Sequence, residues 1–394
     1  MKNLPILLLL LLSSFGMRMQ SQESNITVSL ITCYPGPEVY ELYGHTAIRI
    51  VDGNTDIAYN FGMFSFNKPN FIYRFVKGET DYALGQYPFS YFLPDYIARG
   101  SKVVEQILDL SPEQAKSLQM RLNWQSLPQN REYRYNYVLD NCATRPRDMI
   151  EQAVGGLDYA TPADTTLTFR NIMREYSKNY PWHQFGIDLA LGSGIDRKIN
   201  TREQMFAPIY LMNALQTATY TTPDGKQRPI VKDTNILYEG TDSSILGPTP
   251  WYASPLSISL FLLAAICYAS WRDVRRGVSS RWLNSIWFAA TGLAGCLLFF
   301  LIFISEHEAV SPNYLAFWLN PFCLFPAIAV WIKSCRRYLY FYHFINFALV
   351  LILMACWKML PQCANIAFFP LMLCTVVLSA SNVVIYRKCA KRNK

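Results

Sequence analysis

The strongest constraint on this chain lies in its C-terminal stretch. Five apolar segments, at about 253–270, 283–304, 314–332, 344–360 and 367–386, follow one another with only short breaks. Each approaches the ~20 residues that a helix needs to cross the hydrocarbon of a bilayer. Backbone in hydrocarbon must satisfy its own hydrogen bonds, so such segments fold as helices. Residues 251–394 therefore read as an all-α transmembrane domain of five spans.

The loops set its orientation. Arg272, Arg275, Arg276 and Arg281 follow the first segment, and Lys333, Arg336 and Arg337 follow the third. The tail carries Arg387, Lys388, Lys391, Arg392 and Lys394, whereas the other two loops carry Glu306 and Glu308 or, at 361–365, no charge. Basic loops stay in the cytoplasm, which puts everything before the first span outside it. The N-terminus agrees: Met1-Lys2-Asn3 and an apolar run from Ile6 to Leu12, too short to span, read as a secretory signal over 1–21. Both readings predict a multi-pass protein of the cytoplasmic membrane with a domain in the periplasm. The formal charge of +8 invites a nucleic-acid reading, but many of the basic residues sit beside apolar segments and report topology. No nucleic-acid partner is expected.

Residues 22–217 have the mixed composition of a soluble domain, and 218–250, rich in Thr, Asp, Gly and Pro, read as a loop-like connection to the membrane. Residues 26–34 and 43–51 read as strands, and Asp52-Gly53-Asn54 as a turn into a returning strand over 56–61. Ser111-Pro112-Glu113-Gln114 opens a helix to about Gln125, with Ser111 as cap. Residues 131–138 alternate as a strand, and a helix after Cys142 ends at Gly155-Gly156. Residues 168–180 and 203–217 read as helical, and His183 falls in an expected loop. The stretch 61–92 holds eleven Phe and Tyr residues, which suit either a core or an acyl groove at the membrane interface.

Of the ten cysteines, only Cys33 and Cys142 belong to the exported domain. Cys33 reads as a packing residue, and a Cys33–Cys142 disulfide is the structural alternative in an oxidising compartment. Asp140-Asn141-Cys142-Ala143-Thr144-Arg145 reads as a turn that opens a helix on a thiol, where the helix dipole lowers the thiol pKa. Tyr43-Gly44-His45-Thr46 presents an imidazole on a strand, fit to accept the thiol proton and return it. A third polar group orients such a ring. Asn60 lies across from His45 if the turn is centred on Asp52–Gly53, and Asp56 is the alternative. His on a strand, a polar group on the next and Cys at a helix start is the circularly permuted order of the papain-like constellation. The predicted fold class is thus an α+β permuted papain-like exported domain followed by five transmembrane helices.

Tyr43 to Arg49, Tyr59-Asn60-Phe61-Gly62, Asp140 to Arg145, Gly186 to Gly192 and the loop from Glu306-His307 to Asn313 together resemble the Lnb family of bacterial lipoprotein N-acyltransferases, over nearly the whole chain. More distantly, the exported domain resembles permuted papain-like acyltransferases related to lecithin:retinol acyltransferase, which carry a second histidine that this chain lacks. The resemblance implies transfer of a fatty acyl chain from a membrane phospholipid to the α-amine of a diacylated lipoprotein's N-terminal cysteine. Cys142 would be the nucleophile and His45 the acid and base, with no cofactor. Arg145 or Arg147 would contact a phosphate headgroup, unless they are surface charges or pair with Asp148. Glu306 and His307 would position the substrate amine; Glu306-His307-Glu308 has too few ligands for a metal. The alternative is a membrane-anchored cysteine peptidase or amidase acting on cell-wall peptides.

Overall fold

The computed structural model describes residues 26–65, 67, 69–161, 164–241 and 248–392, and the expected signal at 1–21 lies outside them. The exported domain runs β1 (Thr27–Cys33), β2 (His45–Asp52), β3 (Thr55–Met63), α1 (Phe71–Lys77), β4 (Asp81–Pro88), α2 (Phe89–Ala98), β5 (Val103–Leu108), α3 (Pro112–Gln125), β6 (Glu132–Arg134) and α4 (Thr144–Val154). It continues through α5 (Phe169–Ser177), α6 (Pro181–Ala190), α7 (Thr201–Gln204), α8 (Pro208–Thr217), β7 (Thr219–Thr221), β8 (Gln227–Pro229) and β9 (Val231–Tyr238). Seven strands form one antiparallel sheet in the order β6-β4-β3-β2-β1-β5-β9.

Side-chain alternation gives the sheet two apolar faces. Leu30, Ile48, Ile50, Tyr59 and Phe61 pack with Leu118 and Leu122 of α3, Ile150 of α4 and Leu211 and Leu215 of α8. Ile31, Cys33, Ala47 and Ala58 face the other way, onto Phe89, Phe92 and Tyr96 of α2. Ser111 caps α3 as its sequence predicts, in a capping box with Gln114. Gly155, at φ 81°, ends α4.

Three local expectations need correction. The stretch 218–250 is not merely a connection, because β7 and β8 pair and β9 completes the sheet beside β5. Its polar composition is that of an edge strand, half of it exposed, which periodicity does not distinguish from a loop. Residues 131–138 supply only the three-residue β6. His183 lies inside α6, which Pro181 opens from the first helical position.

Among the described residues, α9 (Pro255–Arg276), α10 (Arg281–Phe303), α12 (Arg336–Cys356) and α13 (Phe368–Arg392) supply four helices long and apolar enough to cross a bilayer, against the five expected. The segment read as a third span is broken into short turns and α11 (Leu324–Ala329). Pro321 and Pro326 remove backbone donors there and prevent one continuous helix. The segment nonetheless follows α10 from end to end. Gln362, in an outer loop, accepts from the Tyr314 backbone at 2.7 Å, and Trp331 donates to Ser285 near the start of α10 at 2.7 Å. Between them Gly295 touches the Asn320 backbone so closely that a Cβ would fall 2.3 Å from its carbonyl carbon. The basic loops then meet at one end: Lys388 reaches the Val274 carbonyl at 3.2 Å and Arg387 the Tyr340 hydroxyl at 3.0 Å.

The domain is docked on the bundle rather than merely tethered. Phe169, Ile172, Leu191 and Ile195 share one buried cluster with Leu298, Leu315, Trp318 and Phe368 of the membrane half. The Gly192 and Ser193 amides donate to the carbonyls of Ala309 and Pro312, at 2.9 and 2.8 Å. Beneath lies a buried charge network in which Arg170 bonds Asp188 at 2.8 Å and Asp196 at 2.7 Å. Asn365 of an outer loop donates to the same Asp188 at 3.0 Å.

Candidate active site

The site forms where the sheet splits. Strands β2 and β3 pair from Asp52–Thr55 to Ile48–Tyr59 and then part, although β1 follows β2 as far as His45. On its other side β3 carries a bulge, with Phe61 and Gly62 opposite Leu84. The hairpin turn is Gly53-Asn54, one residue later than expected, so Asn60 falls on the diagonal from His45 rather than directly across. That diagonal suits the ring. His45 Nε2 is hydrogen-bonded to Asn60 Oδ1. Asn60 Nδ2 donates to the Tyr87 hydroxyl at 2.6 Å, which orients the amide with its oxygen to the imidazole. The ring therefore carries its proton on Nε2 and its lone pair on Nδ1. It lies nearly parallel to Tyr96, with centroids 6.1 Å apart. Asp56 bonds Arg49 through both carboxylate oxygens, at 2.8 and 2.7 Å, and is not the ring's partner.

Cys142 enters the split from the α4 face. A Cβ on Gly62 would lie 3.4 Å from Cys142 Cβ and 3.7 Å from the Tyr135 ring, so the bulge brings thiol and phenol to one spot. The backbone N–H of Thr46, next to His45, the N–H of Cys142 itself and the Tyr135 hydroxyl each favour the ionised sulfur. Cys142 and Cys33 are both free thiols, and Cys33 is fully buried in the α2 core.

The electrostatics differ from the expected ones. Burial pushes the Cys142 thiol up to about 11, and the three donors offset only part of the loss of water. The helix start cannot compensate, because Asn141 Oδ1 takes the N–H groups of Ala143 and Thr144 at 2.8 and 3.0 Å. Burial likewise lowers His45 to about 4, against the raising effect of Asn60. At neutral pH the resting pair is thus a thiol and a neutral imidazole.

The other predicted residues have protein partners of their own. Arg145 grips Asp140 through two nitrogens at 2.6 and 2.7 Å and stacks on Tyr133 at 3.5 Å, so its guanidinium is already engaged by the protein. Arg147 pairs with Asp148. Glu306 bonds Arg134 at 3.0 Å and His307 the Phe75 carbonyl at 2.8 Å, which places them against β6 and α1, and His307 also meets the Tyr137 ring with centroids 5.4 Å apart. Sequence reasoning missed Tyr135, Tyr87 and the Thr46 amide. The alternation of Tyr133, Tyr135 and Tyr137 ahead of Cys142 is a signal for the first; none in the sequence marks the other two.

Fold and site together define a membrane protein whose Cys/His-bearing α+β domain is docked on its own helical bundle. Residues 17–175 match the Lnb N-terminal periplasmic domain and residues 248–389 the Lnb transmembrane domain. The chain belongs to the Lnb family, and with it to the acyltransferases of lipoprotein maturation. No curated protein and no solved structure matches it.

Proposed function

We propose that this chain is a lipoprotein N-acyltransferase of the cytoplasmic membrane that works through a Cys142 thioester, with a phospholipid as acyl donor. The observation that carries the reading is the meeting of the Cys142 sulfur, the Thr46 amide and the Tyr135 hydroxyl at the strand split that also holds the His45–Asn60 pair. With a thiol near pKa 11, only about one in 10⁴ is ionised at pH 7, so a base must act during attack.

His45 Nδ1 takes the Sγ proton as sulfur attacks the phospholipid ester carbonyl. The N–H groups of Thr46 and Cys142 and the Tyr135 hydroxyl stabilise the negative charge that develops. Collapse breaks the ester C–O bond, the imidazolium protonates the departing glycerol oxygen, and lysophospholipid leaves a thioester on Cys142. The lipoprotein α-amine then attacks the thioester carbonyl. His45 accepts the amine proton, the C–S bond breaks, and the thiol is restored as the amide forms. Docking on the bundle supports a lipid-linked substrate over a soluble cell-wall peptide, since it holds the site beside the membrane, where lipid is concentrated.

The test is mass spectrometry of the purified protein after incubation with phospholipid alone. An acyl mass on the peptide containing Cys142, released by hydroxylamine and transferred on addition of diacylated lipopeptide, is the expected result. Undiminished lipopeptide acylation by Cys142→Ala would overturn the reading.

A further inference from the structure

Helix α1 is unusual among the helices of the exported domain. Its sequence is Phe-Ile-Tyr-Arg-Phe-Val-Lys, and none of its residues is buried. Ile72 is 77 % exposed, Tyr73 53 % and Phe75 46 %. So much clustered apolar surface is a poor fit to water and marks a contact surface. Its position says what the contact is. Near its C-terminal end, Ser305 Oγ bonds the Val76 carbonyl, the Glu306 amide the Lys77 carbonyl and His307 Nε2 the Phe75 carbonyl, each at 2.8 Å. Gly78, at φ 86°, sits so close to Glu306 that a Cβ would lie 3.2 Å from its Cβ. Tyr73 meets Phe300 of α10 edge-on, with centroids 6.0 Å apart. Phe300 is in the last turn of a membrane-spanning helix, and the exposed Phe299, Phe303 and Ile304 continue that lipid-facing surface.

From α1 a row of rings runs inward. Phe75 stacks on Phe71 at 6.0 Å, Phe71 on Phe64 at 5.8 Å, Phe64 meets Tyr82 at 5.1 Å, and Tyr82 stacks on Tyr135 at 4.1 Å. Tyr135 and Cys142 meet at Gly62, where a Cβ would lie 3.7 Å from the Tyr135 ring and 3.4 Å from Cys142 Cβ. We propose that α1 is embedded in the outer leaflet beside α10 and that, with this aromatic row, it forms the binding site for the acyl chain of a glycerophospholipid. The bilayer is the occupant because the exposed face is continuous with the membrane-facing surface of α10. That the bound chain is the one transferred rests on the thioester reading above; the contact with lipid does not.

The experiment uses the full-length protein in vesicles of phosphatidylethanolamine and phosphatidylglycerol that contain a phospholipid with a photoactivatable acyl chain. After irradiation, mass spectrometry locates the adducts. Adducts on residues 71–76, with none at the exposed Met120 of α3, are expected, and Ile72→Asp should reduce them at least fivefold. Adducts on α10 and the other membrane helices with α1 unlabelled would overturn the proposal. The same labelling in Cys142→Ala separates the two ideas: adducts on α1 in that variant support the lipid site even where the thioester fails.

Discussion

Asn60 holds the His45 ring by Nε2, and Tyr87 holds Asn60 in turn, across three neighbouring strands of one sheet. The relationship assigns the two ring nitrogens different work. Nε2 is committed to orientation, so in the mechanism proposed above Nδ1 is the nitrogen that exchanges a proton with sulfur. The amide stays neutral throughout, so it orients the ring without fixing an imidazolium in the resting state.

Replacing Asn60 by alanine should therefore free the ring without emptying the site. We expect kcat to fall by about 10²-fold, the lower end of what positioned proton transfer supplies, with KM for phospholipid nearly unchanged. Steady-state kinetics in mixed micelles measures both. A change confined to KM would mean that Asn60 contacts substrate instead.

The pH dependence follows from the burial of the same ring. With His45 lowered to about 4, the base form persists well below the ordinary imidazole range, and the acid limb of the acylation rate should lie below pH 6.5. Stability carries the same sign. A folded-state pKa below the unfolded value of about 6.5 means that this contribution is fully present above pH 6.5 and is lost as pH falls toward 4. Single-turnover acylation from pH 5 to 8 checks the first claim; an acid limb at or above 6.5 would refute it.

Tyr135→Phe keeps the ring stacked on Tyr82 and removes only the hydroxyl at the sulfur. We expect acylation to slow by about 10- to 10²-fold, somewhat less than the loss of an oxyanion-hole donor usually costs, because two amides remain. The rate of alkylation of Cys142 by iodoacetamide should fall too, at a pH where the wild-type thiol reacts. Unchanged rates in both assays would show that the hydroxyl serves packing alone.

Asp188 joins both halves of the molecule from a fully buried position. Asp188→Ala leaves Arg170 with one carboxylate fewer and Asn365 without its acceptor. Breaking such a buried network costs about 3–5 kcal/mol. Thermal unfolding in detergent should shift down by on the order of 10 °C. Lys226→Ala, at an exposed ion pair with Asp224 within the exported domain, should shift it far less, and equal shifts would remove the argument for a joint core.

Much of this protein is legible before folding is considered. Apolar segment length and the placement of Arg and Lys indicate the membrane domain and its orientation, because the bilayer acts on composition directly. The caps at Ser111 and Gly155 are local too, set by residues within one turn. So is the choice of Cys142 and His45 as the pair of interest, since thiol and imidazole chemistry belongs to the residue types. The broken third segment was half legible, as Pro321 and Pro326 are plain in the chain while its course along α10 is not.

What tertiary structure alone decided concerns neighbours distant in sequence. The split between β2 and β3 admits the sulfur to the Thr46 amide, and the bulge at Gly62 depends on pairing with β4. The shift of the Cys142 thiol reverses the helix-end expectation because desolvation sums over every atom packed around the sulfur, whatever its place in the chain. Docking on the bundle sets Glu306 and His307 against α1, far away in sequence. Residue type determines which chemistry is available to a side chain; the dielectric and the donors around it, which only packing supplies, determine its resting charge.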